Sequence, residues 1–227
     1  MQSVIKIDRA ETYGWEAAVR GMRNPMNSWG KSDSHYCWEP QYPGGGCFGC
    51  ELNSDHNCRV DKYIVGAADL DLMKRLIKSG TDHSKFLRMI GVTCDLTAPL
   101  YWWKEYDTYK VGTVANSCST MHKIHAKKFE REDFSTDHLI PRMKEVLDVT
   151  IANLNACRGN YLETNDKKWW WQMIQLLPTS YNQKRTVQLN YAVLRNIYHS
   201  RKNHKLDEWH TFCRWIEGLP YSELITM

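Results

Sequence analysis

The sequence predicts a single α+β domain. Three observations indicate this: apolar residues recur at helical spacing over most of the chain, two shorter segments have the character of extended strands, and no linker divides the 227 residues. With 42% hydrophobic residues, a chain of this length can bury one good-sized core or two small ones. We therefore expect one domain over 1–227, with an irregular insertion rich in cysteine and glycine at about 27–61.

Two helices flank this insertion in the first part of the chain. A helical pattern runs from Glu11 to Arg23 and ends at the Asn24-Pro25 pair, because the residue before a proline is disfavoured in the helical region. The insertion contains the run PGGGCFGC, which is typical of irregular structure. Helical spacing returns over AADLDLMKRLIKSG, which Gly80 ends. The residues that share the apolar face of this second helix are Leu70, Met73, Leu76 and Ile77.

A strand, a short helix and a polar loop are expected next. The segment FLRMIGVTCDL, from Phe86 to Leu96, favours a strand because its apolar residues alternate from Ile90 onward. Pro99 then opens the aromatic helix LYWWKEY, since proline is favoured in the first turn of a helix. The stretch 107–120 is rich in Gly, Ser, Thr and Asn and suits a ligand-binding loop.

The second half of the sequence is mainly helical. Thr136 or Asp137 can cap a long helix through MKEVLDVTIANLNAC, and a second helix, KKWWWQMIQLL, runs up to Pro178. The extended segment TSYNQKRTVQLN leads into two closing helices, YAVLRNIYHSRK and LDEWHTFCRWIEG.

Charge and hydropathy exclude several classes of protein. The formal charge of +4 comes from 30 basic and 26 acidic residues that are spread along the chain, without the charged block of a nucleic-acid-binding tail. No apolar run approaches the roughly 20 residues that cross a bilayer, and the first residues are too polar for a signal peptide. We therefore expect a cytoplasmic protein that binds a small anionic ligand, and neither nucleic acid nor a membrane.

The eight cysteines raise the question of a metal site. In the cytoplasm they are expected to be reduced thiols. Four of them lie in the irregular insertion with one C-x2-C pair and with His35 and His56 nearby, a set that could form a tetrahedral zinc site. A structural zinc knuckle usually has two such tight pairs, so we predict no metal and keep the four cysteines as the alternative. They are Cys37, Cys47, Cys50 and Cys58.

The order of these elements resembles the flavin-dependent thymidylate synthases over about residues 4–215, and three local patterns support the resemblance. In that family a glutamate-histidine pair precedes the first long strand. The segment DHSKF is similar to this turn, with His83 and Phe86 at the matching positions.

The second pattern is the family signature, an Arg-His-Arg triplet followed by seven residues and a serine. Here the triplet is Thr108-Tyr109-Lys110, and eight residues separate it from Ser119. Thr108 and Tyr109 replace the arginine and the histidine, and Glu105 stands where the family has a glutamine. The remaining matched positions are Thr113 and Asn116, while Met121 or His122 replaces a further arginine.

The third pattern lies near the C-terminus. The family has Leu-Pro, then asparagine twelve residues later and arginine eleven beyond it, and this spacing matches Pro178, Asn190 and Arg201. Leu194 and Trp209 resemble two further family positions. Two family arginines are replaced here, by Ile174 and Ala192.

The resemblance implies a fold, an activity and an assembly. The implied fold is a small antiparallel sheet packed with long helices. The implied activity is methylation of dUMP to dTMP with reduced FAD, with NADPH and methylenetetrahydrofolate as co-substrates. The implied assembly is a homotetramer, because the family builds its active site where subunits meet.

The resemblance also assigns roles to individual residues. Ser119 and Arg201 are the implied catalytic residues, and both would also bind the substrate. The other implied substrate-binding residues are Glu105, Thr108 and Thr113. The implied cofactor-binding residues are His83, Tyr109, Lys110, Asn116 and Asn190.

The replaced arginines leave two alternatives open. Each lost charge-assisted hydrogen bond to an anionic ligand removes about 1.5 to 3 kcal/mol of binding energy. The protein could therefore act on another pyrimidine nucleotide, or be a non-catalytic nucleotide-binding or accessory protein of the same fold. Nearby cations could instead compensate for the loss, and the candidates are Lys104, Lys123, Lys184 and Arg185.

Overall fold

The computed structural model of the protein describes residues 5–36 and 63–227. Within these ranges it contains six strands and eight α-helices. The strands are β1 (Lys6–Tyr13), β2 (His35–Tyr36), β3 (Tyr63–Ile64), β4 (Gly91–Pro99), β5 (Val114–Ser117) and β6 (Asn182–Asn190). The helices are α1 (Trp15–Arg23), α2 (Ala67–Lys78), α3 (Leu100–Tyr106), α4 (Pro141–Thr164), α5 (Lys167–Leu176), α6 (Tyr191–Arg201), α7 (Asp207–Glu217) and α8 (Glu223–Thr226).

Four of the strands form an antiparallel sheet in the order β1-β4-β6-β5, and β2 pairs with β3 in a separate ribbon. Strands β4 and β6 pair along their whole length, from Gly91 opposite Asn190 to Pro99 opposite Asn182. Because side chains alternate along a strand, one face of the sheet is apolar and the other polar. The buried apolar face includes Val92, Cys94, Leu96, Val187 and Leu189, and the polar face includes Thr93, Asp95, Lys184, Thr186 and Gln188.

Helices cover the apolar face of the sheet and form the main core with it. An aromatic cluster lies at its centre, where Trp102, Trp103, Tyr106 and Trp209 are almost fully buried. A smaller core lies between α4, α5 and the chain that precedes α4. Its buried members are Ile124, Phe129, Phe134, Leu147, Ile151, Leu154 and Met173.

The structure confirms the predicted α+β class and has the predicted helices at α2 and from α3 to α7. The predicted cap of the long helix was wrong. Helix α4 begins at Pro141 with Ile140 at its N-cap, and neither Thr136 nor Asp137 caps it. Proline at the first position has no N–H to satisfy and a φ angle suited to a helix, so the helix begins there without a side-chain cap.

The helix predicted from Glu11 to Arg23 was wrong in its first part. Residues up to Tyr13 belong to β1, which pairs with β4, and the helix begins only at Trp15. Gly14 separates the two elements with a φ of +84°, and a Cβ at this position would lie 2.1 Å from the carbonyl oxygen of Met89. The turn therefore requires glycine, both for its backbone angle and for this close approach.

Two further boundaries differ from the predictions. The predicted strand from Phe86 begins only at Gly91, because a 3₁₀ turn occupies Lys85–Arg88. The polar loop 107–120 contains β5, a short exposed edge strand that pairs with β6. Among the described residues, every helix is too short or too polar to cross a bilayer.

A buried ion pair fixes the chain that follows α1 against α2. Arg23 Nε lies 2.6 Å from Asp69 Oδ1, and both side chains are at most 5% exposed. The other carboxylate oxygen of Asp69 accepts hydrogen bonds from the hydroxyls of Ser32 and Ser34, each at 2.6 Å. Both oxygens of this buried carboxylate are thus hydrogen-bonded, as burial of a charge requires.

We predict that this network makes the stability of the protein depend on acid pH. Burial alone raises the pKa of Asp69, but the hydrogen bonds from Ser32, Ser34 and Arg23 outweigh it and hold the pKa below its usual value. A lowered pKa contributes stability above the unfolded-state pKa of about 3.9, and this contribution is lost as the pH falls through the folded-state pKa. Urea unfolding at pH 7 and at pH 3 measures the loss. It should be smaller in Asp69→Asn than in the wild type, and an equal loss in both would contradict the prediction.

Candidate functional site

Residues that the sequence assigns to substrate and cofactor meet where the ends of α3 and α6 come together. Arg201, the last residue of α6, places Nη1 2.9 Å from Oε2 of Glu105 near the end of α3. Its Nε donates a hydrogen bond to the hydroxyl of Tyr109 at 2.8 Å. The Arg201 side chain is only 17% exposed. We call Glu105, Tyr109, Arg201 and Trp209 the Arg201 corner.

Aromatic rings fix the orientation of the Arg201 guanidinium. Its central carbon lies 5.0 Å from the ring centroid of Trp209 and 5.5 Å from that of Tyr109, both within cation–π range. Trp209 is fully buried and packs on Trp102 with a centroid distance of 4.7 Å. The main core therefore positions the charged group, which leaves Arg201 little freedom to turn toward a ligand.

Arg185 on β6 supplies a second guanidinium, which is also paired with a carboxylate. Arg185 Nη1 lies 2.7 Å from Asp107, and the guanidinium carbon stands 4.1 Å above the ring of Trp103. Carboxylates thus neutralise both guanidiniums. A phosphate would have to compete with a carboxylate at either one.

The candidate compensating cations do not converge on this corner as a group. Lys184 and Arg185 are neighbours on β6, so their side chains leave opposite faces of the sheet. Lys184 lies 2.8 Å from Asp95 on the polar face. Hydrogen bonds from Lys184 and Thr186 hold the pKa of Asp95 below its usual value. Lys104 and Lys123 are exposed.

The two predicted threonines shape the turn after α3. Thr108 donates its hydroxyl hydrogen to the carbonyl of Glu105 at 2.7 Å, and Thr113 donates to the carbonyl of Tyr109 at 2.6 Å. Both hydroxyl hydrogens are therefore used within the protein, and only the lone pairs remain for a ligand. Their structural effect is to hold Tyr109 in position against Arg201.

Asn190 lies at the other end of α6. Its Oδ1 accepts a hydrogen bond from the backbone N–H of Val193 at 3.0 Å and so caps the helix. Gly112, with a φ of +77°, packs against it, since a Cβ on Gly112 would lie 3.0 Å from Asn190 Nδ2. The loop 109–112 thus runs along α6 from Arg201 to Asn190.

Ser119 makes its side-chain hydrogen bonds within its own turn. It follows β5 and accepts hydrogen bonds on Oγ from the backbone N–H groups of Met121 and His122, at 3.3 and 2.9 Å. The neighbouring carbonyl of Cys118 is bonded to Gln183, near the start of β6, whereas Asn190 ends that strand. Within the described residues, Ser119 makes no hydrogen bond with the Arg201 corner.

The remaining predicted cofactor residues are exposed. His83 lies in the turn after α2, where its backbone N–H donates to the carbonyl of Gly80 at 3.2 Å. Lys110 lies in the loop after α3, and Asn116 lies on β5 opposite Thr186. Among the described residues, the side chains of these three have no hydrogen-bond partner. Their roles stay predictions.

Two residues beside the guanidiniums of Arg185 and Arg201 were not predicted from the sequence to be functional. Trp209, matched only by position, lies against Arg201, and Asp107 pairs with Arg185. The two acidic residues Glu105 and Asp107 at the end of α3 are a sequence signal that indicates Asp107, whereas no local pattern indicates Trp209.

No metal site is found in the part of the chain that the structure describes. There, no group of three or more His, Cys, Asp or Glu side chains is placed to bind a metal ion. The zinc alternative is not tested by this, because Cys37, Cys47, Cys50 and Cys58 lie outside the described residues.

Comparison with known proteins identifies the fold. No protein-family model and no curated protein sequence matches the chain. The structure is similar to a flavin-dependent thymidylate synthase, ThyX, from Helicobacter pylori, solved in complex with FAD and dUMP. The TM-score is 0.65 at 15% identity, over 97% of each chain. A second structure of ThyX from Helicobacter pylori with FAD and dUMP gives the same TM-score and identity over 98% of this chain and 96% of that one. The fold is thus the one predicted, a small antiparallel sheet packed with long helices.

Proposed function

We propose that this protein is a divergent flavin-dependent thymidylate synthase that methylates dUMP to dTMP with reduced FAD, and with NADPH and methylenetetrahydrofolate as co-substrates. The observation that carries the proposal is the Arg201 corner. In it, Glu105 and Tyr109 meet Arg201, which lies 92 positions after Tyr109 in the sequence, and the three form one polar site. The two similar structures contain FAD and dUMP, which supports ligands of these classes.

The proposed roles follow the geometry. Arg201 binds and orients the pyrimidine with donors that the core holds in place, and Glu105, Thr108 and Thr113 surround it. Ser119 is the other proposed catalytic residue. In the proposed homotetramer, Ser119 acts at the site formed where subunits meet.

The available donors fit a flavin. Lys110, Asn116 and the Nδ2 group of Asn190 have no hydrogen-bond partner among the described residues, so they can donate to ring carbonyls or phosphate oxygens. Tyr109 and His83 complete the proposed set. FAD, when bound, supplies the redox chemistry, while the protein positions the reactants and excludes water.

Assembly into a homotetramer in the cytoplasm is part of the proposal. Helix α4 supports self-association, because a row of large apolar side chains at a spacing of three residues is at least 40% exposed in the single chain. These residues are Ile140, Met143, Val146 and Val149. Such a row would be covered if the helices of two copies packed together.

The visible absorption spectrum tests the proposal. The purified full chain, loaded with FAD, should show the absorption band of bound oxidised flavin. Addition of dUMP should perturb this band by changing the environment of the flavin ring. Sedimentation of the same sample measures the assembly. A colourless protein that cannot be loaded with FAD would contradict the proposed function.

Carboxylates pair with the guanidiniums of both Arg185 and Arg201, which favours a ligand other than dUMP. The two alternatives, a different pyrimidine nucleotide and a non-catalytic protein, are therefore included in the test. If FAD binds but dUMP gives no turnover, a panel of pyrimidine nucleotides should separate a different substrate from a non-catalytic, nucleotide-binding or accessory protein. Turnover with one member of the panel would identify the former. Binding without turnover for every member would favour the latter.

A further inference from the structure

We infer that Glu105 removes the preference of the Arg201 corner for an anionic group, so that a phosphate adds no affinity and a phosphate-free pyrimidine nucleoside binds as well as its monophosphate. The inference rests on the proposed function in one respect, namely that the ligand is a pyrimidine. It concerns which part of that ligand the corner selects.

The first step of the argument is the charge of the corner. Arg201 and Glu105 are 2.9 Å apart, and together they carry no net charge. A phosphate that approached Arg201 would also approach the carboxylate, and repulsion by Glu105 would offset the attraction by Arg201. Arg185 does not supply a net attraction for a phosphate, because Asp107 neutralises its charge in the same way at a distance of 2.7 Å.

The second step is that Arg201 cannot easily leave Glu105 to follow a phosphate. Its Nε is bonded to the hydroxyl of Tyr109, and its guanidinium lies against the rings of Tyr109 and Trp209. Glu105 is 43% exposed and could turn away, but its charge would remain near the ligand. The exposed Lys110 belongs to the proposed flavin-binding set, and solvent screens its charge at the Arg201 corner.

The third step is that the pair suits an uncharged ligand. A guanidinium offers N–H donors and a carboxylate offers acceptors, and a pyrimidine ring presents both carbonyl and N–H groups. The pair can therefore bind an uncharged ring without separating.

Titration calorimetry of the FAD-loaded full chain with deoxyuridine and with dUMP tests the inference. In the wild type the two Kd values should agree within about threefold. In Glu105→Gln the affinity for dUMP should rise by about tenfold or more, while that for deoxyuridine should change by less than about threefold. The gain for dUMP should shrink at high salt, because it is electrostatic.

Two controls separate the effect of the carboxylate at position 105 from the effect of side-chain shape and from the effect of the protein's net charge. Glu105→Asp keeps the carboxylate and should retain the wild-type ratio of the two Kd values. Asp71→Asn removes one negative charge from an exposed pair with Arg75 on α2 and should leave both affinities unchanged. Glu105 is a partly exposed surface residue, so the variants are expected to fold, and an unfolding curve for each verifies this.

The possible failures are distinguishable. If the wild type binds dUMP at least about tenfold more tightly than deoxyuridine and Glu105→Gln keeps that ratio, the inference is overturned and the proposed function stands. If neither ligand binds the FAD-loaded wild type, both the inference and the proposed function are overturned.

Discussion

Replacing Trp209 by alanine should lower the free energy of unfolding by about 3–5 kcal/mol, as expected for removing a buried tryptophan from a well-packed core. Trp209 is fully buried and contacts Trp102 and Phe212, with ring centroids 4.7 and 5.9 Å apart. The truncation leaves a cavity in the main aromatic cluster, and it also removes one of the two rings that flank Arg201. The Trp209→Ala variant should therefore lose both stability and ligand affinity.

Urea unfolding followed by circular dichroism measures the effect of this change. The matched control is Trp171→Ala on α5, where the side chain is 43% exposed, and it should cost less than about 1 kcal/mol. Trp209→Phe should cost less than the alanine variant, because it keeps a ring under Arg201 and removes an indole N–H that has no hydrogen-bond partner within residues 5–36 and 63–227. A loss below about 1 kcal/mol in Trp209→Ala would contradict this account of the core.

Helices with strong local signals could be predicted from the sequence alone. Helix α5 follows Asp166, whose side chain accepts a hydrogen bond from the backbone N–H of Lys168, and it ends before Pro178. Helix α3 begins at Leu100 with Pro99 at its N-cap, one position before the first-turn position predicted for this proline. In both, the residues that determine the boundaries lie within a few positions of the element. Local chemistry therefore suffices to locate them.

The two outer strands of the sheet could not be predicted in this way. Strand β1 contains only one aliphatic residue larger than alanine, Ile7, and it pairs with β4, some 80 positions away in the sequence. Strand β5 has four exposed residues and exists through its pairing with β6. For such strands the partner supplies the hydrogen bonds, and local propensity is a weak guide.

The site was predictable in part. The spacing between Asn190 and Arg201 places them at opposite ends of α6, as the structure has them. The ion pair between Arg201 and Glu105 joins residues on different helices, and no spacing rule predicts such a contact. The position of Ser119 depends on how β5 pairs with β6, so sequence alone could not place it relative to Arg201.

Replacing Arg201 by alanine should weaken binding of a pyrimidine ligand by about 10- to 100-fold, because hydrogen bonds to a charged group contribute about 1.5–3 kcal/mol. The unfolding free energy should also fall, by about 1–2 kcal/mol, because the Arg201 side chain is only 17% exposed and its truncation removes the contacts with Tyr109 and Trp209. Arg201→Lys should also bind more weakly than the wild type. Lysine keeps the charge but loses the planar group that lies against Tyr109 and Trp209.

The matched control for this change is Arg75→Ala, which removes an exposed arginine paired with Asp71 on α2 and should leave affinity unchanged. Calorimetric titration of deoxyuridine into the FAD-loaded proteins compares the variants. Deoxyuridine is the better probe because it carries no phosphate, so a loss of affinity in Arg201→Ala reports on contacts of the guanidinium with the uncharged part of the ligand. Wild-type affinity in Arg201→Ala would remove Arg201 from the site. The ligand would then have to bind elsewhere on the fold.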